Sequence, residues 1–310
     1  MTGHDAVLLT ETIAQLKLRP GDTAIDATCG AGGHSEAIAT AIGPDGILIA
    51  IDQDEAALEK VKQRIGHHSQ IRFVHGNFRT LDSILGSFAI EHVNAICADL
   101  GVASFHFDDL SRGFSFRSEV ELDARMDRRQ SLTAAKLLAT ASEKELGRIF
   151  REYGEETRWR AMAAAVVKAR QESPSFTGTR LREIARGVKG RPRRGDKAID
   201  PSTQVLQALR VAVNDELGAL RDFLPAVVTA LAPAGRVAVI AYHSLEDRIV
   251  KQFFRDEEKG CQCPPTIPRC VCGRKPTLRR VTRKPTVPSE AEIQRNPRSR
   301  SAKLRVAERI

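Results

Sequence analysis

Along the first hundred residues the chain alternates between two hydrophobic rhythms. Short apolar runs at 22–28 (DTAIDAT), 46–52 (GILIAID), 71–78 (IRFVHGNF) and 93–102 (VNAICADLGV) have the length and content of buried strands. Between them, 35–42 opens helically after a glycine cluster, and 55–65 repeats apolar residues at Ala57, Leu58, Val61 and Ile65. Such alternation predicts a parallel sheet with helices on both faces. From 105 to 210 the strand rhythm stops, and helical spacing takes over at 143–153, 155–171 and 179–188. Residues 204–231 read as one further helix, strand character returns at 235–244 (GRVAVIAYHS), and the final AKLRVAERI alternates like a late strand. The pattern predicts an α/β domain, 1–104 with 211–310, interrupted after its fourth strand by an all-α insertion at 105–210. There is no internal repeat.

Charge changes this picture more than composition does. The hydrophobic content of 42% and the lack of any apolar run near 18 residues argue against a membrane protein. No basic segment followed by an apolar one opens the chain, and the six cysteines suit a reducing compartment, so a cytoplasmic protein is expected. The net charge of +9 is uneven: residues 269–310 hold 13 Lys/Arg against 3 Asp/Glu. A second block, 180–197, holds 8 basic and 2 acidic residues and includes KGRPRRGDK. A charge run is usually solvated surface, partly disordered, but two such blocks beside a nucleotide-type fold favour a polyanionic partner. Aromatic content of 5% does not signal a base-stacking platform.

The most specific chemistry lies in IDATCGAGGHSEAI, residues 25–38. A strand ending on Asp26, a turn crowded with Gly30, Gly32 and Gly33, and a following helix can bring backbone N–H groups close to a ligand. Asp52, at the end of the next strand, is placed to accept from ribose hydroxyls; a tight turn with an ordinary N-capping Asp is the alternative. The pattern G-x-x-x-x-G-K-[ST] is absent, and G-x-G-x-x-G fails because Gly33 is followed by His34 and Ser35. A cofactor without pyrophosphate fits better: an adenosine carrying an amino-acid group, with Asp26 or the loop amides near its ammonium and carboxylate.

At this point the chain resembles a known family. The segments DATCGAGGHS (26–35), AIDQD (50–54), HGNF (75–78), DLGV (99–102), RGFSF (112–116), LDARMD (122–127), YHSLEDRIVK (242–251) and NPRSRSAKLRVAER (296–309) occur in register with those of the bacterial S-adenosylmethionine-dependent 16S rRNA (cytosine-N4)-methyltransferases. The likeness runs from HDAVLLTET (4–12) almost to the last residue. It implies a Rossmann-like class I methyltransferase fold with an inserted helical domain for substrate recognition. It also implies S-adenosylmethionine as methyl donor, and N4 of a cytidine in the decoding region of small-subunit rRNA as acceptor. By position, Gly32, Gly33 and His34 match the family's cofactor loop, Asp52 the ribose acid, Phe78 the adenine-side contact and Asp99 the acid ending the fourth strand. The family's Gln in an SSPQ stretch is met by His106 in Ala103-Ser104-Phe105-His106, and its GPLDMRMD by VELDARMD, 120–127.

Methylating an exocyclic amine requires no covalent intermediate, only an exposed base, an aimed lone pair and an acceptor for the N–H. Asp99 is the candidate for orienting the amine or the cofactor. His243, near the end of the 235–244 stretch, is a second catalytic candidate, or else caps the helix starting near Ser244. A C5-directed mechanism would need a cysteine nucleophile, but Cys97 lies in an apolar strand and Cys29 reads as packing. Cys261, Cys263, Cys270 and Cys272 form two C-x-C pairs, which could hold Zn or be reduced structural thiols. A non-catalytic RNA-binding assembly factor on the same fold stays open, as does a homodimer.

Overall fold

The computed structural model describes residues 6–190, 200, 202–264, 266 and 269–310; the basic stretch 191–197 lies outside the described residues, as do His4 and Asp5. Seven strands form one sheet: β1 Thr23–Asp26, β2 Ile47–Asp52, β3 Ile71–His75, β4 Val93–Asp99, β5 Leu231–Ala241, β6 Leu278–Arg280 and β7 Lys303–Arg309. Their order is β3-β2-β1-β4-β5-β7-β6. The first five run parallel, and β7 lies antiparallel between β5 and β6. This is the Rossmann-like class I methyltransferase sheet; the parallel pairing expected from the first hundred residues is present, and the late strand adds an antiparallel edge.

Alternation along the strands sends side chains to two faces. Ala24, Leu48, Ala50, Ala95, Cys97 and Ala238 face one core, against Ile38 and Ile42 of helix Gly33–Ile42 and Leu58 and Val61 of helix Glu55–Ile65. Ile25, Ile49, Ile51, Ile96, Val237 and Val239 face the other, against Phe223 and Val227 of helix Glu216–Ala230 and Phe254 of helix Ser244–Lys259. Fully burying such a side chain contributes about 1.5–3 kcal/mol, and these two layers fix the strand ends that carry the site.

The chain divides into two compact units: the segment up to Gly101 with Leu217–Ile310, and Val102–Glu216. The second is helical. Helices Ala134–Thr140, Glu143–Glu152, Trp159–Glu172, Gly178–Lys189 and Ser202–Asn214 surround Leu138, Phe150, Met162, Phe176 and Leu209. Thr133, Ser142 and Thr177 cap three of them, each accepting from a backbone N–H in the first turn. The single helix expected over 204–231 is two helices, broken at Asp215, whose φ is 47°. Beside the break, buried Asn214 donates to the Ala124 carbonyl at 2.8 Å and accepts from the Met126 N–H at 2.8 Å, bonds a straight helix surface would not supply.

The described part of the 180–197 block is tied internally. Arg180 donates to the Ser173 carbonyl at 2.7 Å, Arg182 and Arg186 share Asp200, and Lys189 pairs with buried Glu156 at 2.7 Å. The 269–310 segment is likewise built in, through β6, β7 and ion pairs of Arg280 with Glu258 and Arg305 with Asp247. A run of positive charge here supports structure as well as any polyanion contact. No helix among the described residues is long and apolar enough to cross a membrane.

Candidate active site

β1, β2 and β4 end at Asp26, Asp52 and Asp99, which lines three carboxylates along one edge of the sheet. Because β2 and β4 flank β1 from opposite sides, this edge is a topological switch point, where ligands of such sheets bind. The three carboxylates play different parts. Asp26 has no exposed surface; Oδ1 accepts from the Thr28 N–H at 3.2 Å and Oδ2 from the Ser35 hydroxyl at 2.6 Å. Burial pushes its carboxyl above the ordinary range. It braces the loop from beneath, which corrects the reading that it meets a ligand's ammonium. Thr28 passes the brace on, its hydroxyl accepting from the Asp99 N–H at 2.6 Å.

Above Asp26 the glycines are required for distinct reasons. Gly32 adopts a φ of 83°, caps helix Gly33–Ile42 without any side chain, and leaves the first helical N–H groups facing outward. Gly33 has no room for a side chain, since a Cβ there would lie 2.8 Å from that of Ala6. Asp52 ties this turn to β2: Oδ2 accepts from the Gly30 N–H at 2.8 Å and Oδ1 from the Asp54 N–H at 2.9 Å. Capping of helix Glu55–Ile65 falls to Asp54, which accepts from the Ala56 N–H at 2.9 Å. Asp52 is therefore not that helix's cap.

Asp99 is a perturbed acid that stays partly open. Its Oδ1 accepts from the Tyr242 hydroxyl at 2.8 Å, and its Oδ2 lies 3.7 Å from His34 Nδ1. Burial raises its carboxyl to about 7, with the Tyr242 bond pulling the other way, while 23% of the side chain stays exposed. His34 is 4% exposed, and burial lowers its basicity, so the imidazole is neutral near pH 7. Its Nε2 is buried with no hydrogen-bond partner among the described residues. An orphaned polar atom beside a half-open carboxylate and uncapped helical N–H groups suits a ligand with both charged and polar ends.

The sequence profile of the MraW methylase family matches residues 1–310. The chain belongs to the MraW methylase family. It is 46% identical over 312 residues to the ribosomal RNA small subunit methyltransferase H of Halothermothrix orenii, covering 100% of this chain and 99% of that one. It is 46% identical over 309 residues to the enzyme of the same name from Trichlorobacter lovleyi, covering 99% and 98%. Among solved structures, an rRNA methylase from Streptococcus thermophilus aligns with a TM-score of 0.43 and 11% identity, covering 100% of this chain and 99% of that one.

In this MraW-family chain the remaining candidates are placed unequally. Phe78 opens a short 3-10 turn after β3, half-buried and edge-on to Phe223 at 5.0 Å. Its turn is tied to the end of β2, since Gly76 donates to the Asp52 carbonyl at 2.9 Å and Asn77 to the Gln53 side chain at 2.8 Å. His106 belongs to the second unit, where it is 4% exposed, lies tilted against Phe114 with ring centroids 5.0 Å apart, and has Nδ1 3.2 Å from the Ala103 carbonyl. His243 is the N-cap of helix Ser244–Lys259: its ring accepts from the Glu246 N–H while the Glu246 carboxylate accepts from the His243 N–H, a reciprocal capping box. That arrangement favours the capping reading of His243 over the catalytic one. Tyr242, one residue earlier, was not anticipated; its parity with Ile240 along the strand was the available signal.

Cys29 and Cys97 are both buried, and burial followed by nearby carboxylates pushes each thiol well above the ordinary range. Neither is activated as a nucleophile. Cys29→Ala is expected to keep methyl-transfer kcat within about twofold and to cost about 1 kcal/mol in denaturant unfolding. A hundredfold loss of kcat in the folded variant would reinstate the thiol in the chemistry.

Proposed function

We propose that this chain transfers a methyl group from S-adenosylmethionine to N4 of a cytidine in the decoding region of small-subunit (16S) rRNA. The observation that carries the reading is Asp99: a carboxylate at the end of β4, held by Tyr242, raised to about 7 and still partly open. The loop fits the donor. The N–H groups beyond Gly32, the free Nε2 of His34 and the carboxylate of Asp52 offer donors and acceptors for an amino acid and a ribose, with Phe78 on the adenine side. Gly33 and Asp99 complete that set; His106, in the second unit, is a candidate only by its match to the family's contact position. When bound, S-adenosylmethionine supplies a methyl group on a sulfonium centre.

The chain's own part is orientation and proton management. Asp99 accepts a hydrogen bond from the exocyclic amine, aligns its lone pair, and takes up the proton that the amine sheds once methylated. Tyr242 holds the carboxylate in one rotamer, and neutral His34 leaves it uncompensated and basic. The helical unit Val102–Glu216 serves substrate recognition, and the basic carboxyl-terminal segment supplies phosphate contacts.

Purified protein incubated with radiolabelled S-adenosylmethionine and small subunits from cells lacking this gene should label the small-subunit RNA. Donor binding without any label transfer to RNA or subunits would instead support an assembly factor on a methyltransferase fold.

A further inference from the structure

We propose that Cys261, Cys263, Cys270 and Cys272 form a structural zinc site that closes the loop between helix Ser244–Lys259 and β6. The four Sγ atoms lie within 4.8 Å of one another. Cys263 and Cys270 are 4.0 Å apart, Cys270 and Cys272 3.5 Å, and Cys261 and Cys272 3.9 Å. A zinc–thiolate bond of about 2.3 Å in tetrahedral geometry requires sulfur–sulfur edges of about 3.8 Å, which these separations bracket. A disulfide would need about 2.05 Å, and all four thiols are free. The Val271 N–H donates to Cys263 Sγ at 3.4 Å, a backbone contact that orients a ligating sulfur.

Packing does not explain the convergence. Free cysteines that serve as small hydrophobes are buried, as Cys29 and Cys97 are, whereas Cys270 and Cys272 are exposed and Cys261 and Cys263 half-buried. No described residue between Gly260 and Leu278 is a buried hydrophobe, and Val271, inside the second pair, is 77% exposed. The base of the loop is fastened separately. Thr277 donates to the Glu257 carbonyl at 3.0 Å, Arg274 pairs with the Glu257 carboxylate, and Gly260 (φ 69°) leaves no room for a Cβ against Pro276. Beyond that base, four sulfurs take the place of a core, which is the architecture of a small metal-stapled loop.

All-thiolate donors in tetrahedral arrangement favour zinc over harder cations. On binding, each thiol gives its proton to solvent, so four thiolates and one Zn²⁺ leave a centre of net charge −2. Arg269 and Lys275 flank it in sequence, positive charges of the sign that would offset such a centre.

The test uses the full chain, expressed in zinc-supplemented medium and purified with a reductant but without chelator. Elemental analysis should find about one zinc per chain, released by a thiol-specific mercurial in step with four of the six cysteines. Cys270→Ser and Cys272→Ser, both at exposed positions, should lose the metal while keeping the far-UV spectrum of the parent. Cobalt exchanged into the parent chain should show the intense ligand-field bands of a tetrahedral thiolate site. A zinc-free parent chain with six reactive thiols, disulfides within the cluster, or zinc retained in both serine variants would overturn the proposal.

Discussion

Asp99→Asn is expected to slow methyl transfer by about 10²–10⁴-fold, the range for removing a positioned proton acceptor. The replacement keeps the shape and an oxygen for Tyr242 but cannot take up a proton. Because burial lifts the Asp99 carboxyl from 3.8 to about 7, the parent rate should climb with pH and level off above about 7. That inflection should vanish in the variant. Stability should move the other way. A carboxyl raised in the folded state binds its proton more tightly there than in the unfolded chain, so ionising it costs folding free energy. The cost is absent below pH 3.8, grows through the interval and is complete above about 7. Asp99→Asn should therefore raise the melting temperature most at alkaline pH. A variant that is both slow and less stable at pH 8 would mean that Asp99 is a structural acid.

Asp52→Ala is expected to weaken S-adenosylmethionine binding by about 10–150-fold in calorimetry, the equivalent of losing hydrogen bonds to a charged acceptor worth about 1.5–3 kcal/mol. Two effects combine. The ribose loses its proposed acceptor, and the turn loses the carboxylate that fixes the Gly30 N–H at 2.8 Å. Asp52→Asn separates them, since one amide oxygen can still hold Gly30 while the second acceptor becomes a donor. Affinity close to that of Asp52→Ala would assign the loss to the second oxygen, which serves the Asp54 N–H and the proposed ribose contact, and not to the hold on Gly30. An unchanged Kd in Asp52→Ala would remove Asp52 from the donor site.

The strands and their ends were legible because buried parallel strands read as short apolar runs, and their terminal acids stand out against them. Asp26, Asp52 and Asp99 were visible in this way, but their separate duties were not. Only the structure shows both oxygens of Asp26 occupied by Thr28 and Ser35, and helix capping passed from Asp52 to its neighbour Asp54. The break at Asp215 was hidden because a left-handed Asp leaves no mark on helical periodicity, and its support comes from Ala124 and Met126, about ninety residues upstream. Charge hid structural roles for a related reason. Arg182, Arg186, Arg280 and Arg305 look like free cations in sequence, yet each meets an acid distant along the chain. The late β7 was readable by alternation, whereas three-residue β6 was too short to show any.

The central claim is tested most directly on the RNA itself. Small-subunit rRNA from cells whose only copy of this gene carries Asp99→Asn, and from cells lacking the gene, should be digested and mapped by mass spectrometry. The account predicts that one decoding-region cytidine loses its N4-methyl group in both strains while other methylated nucleotides persist. An unchanged set of N4-methylated cytidines in the deletion strain would contradict it.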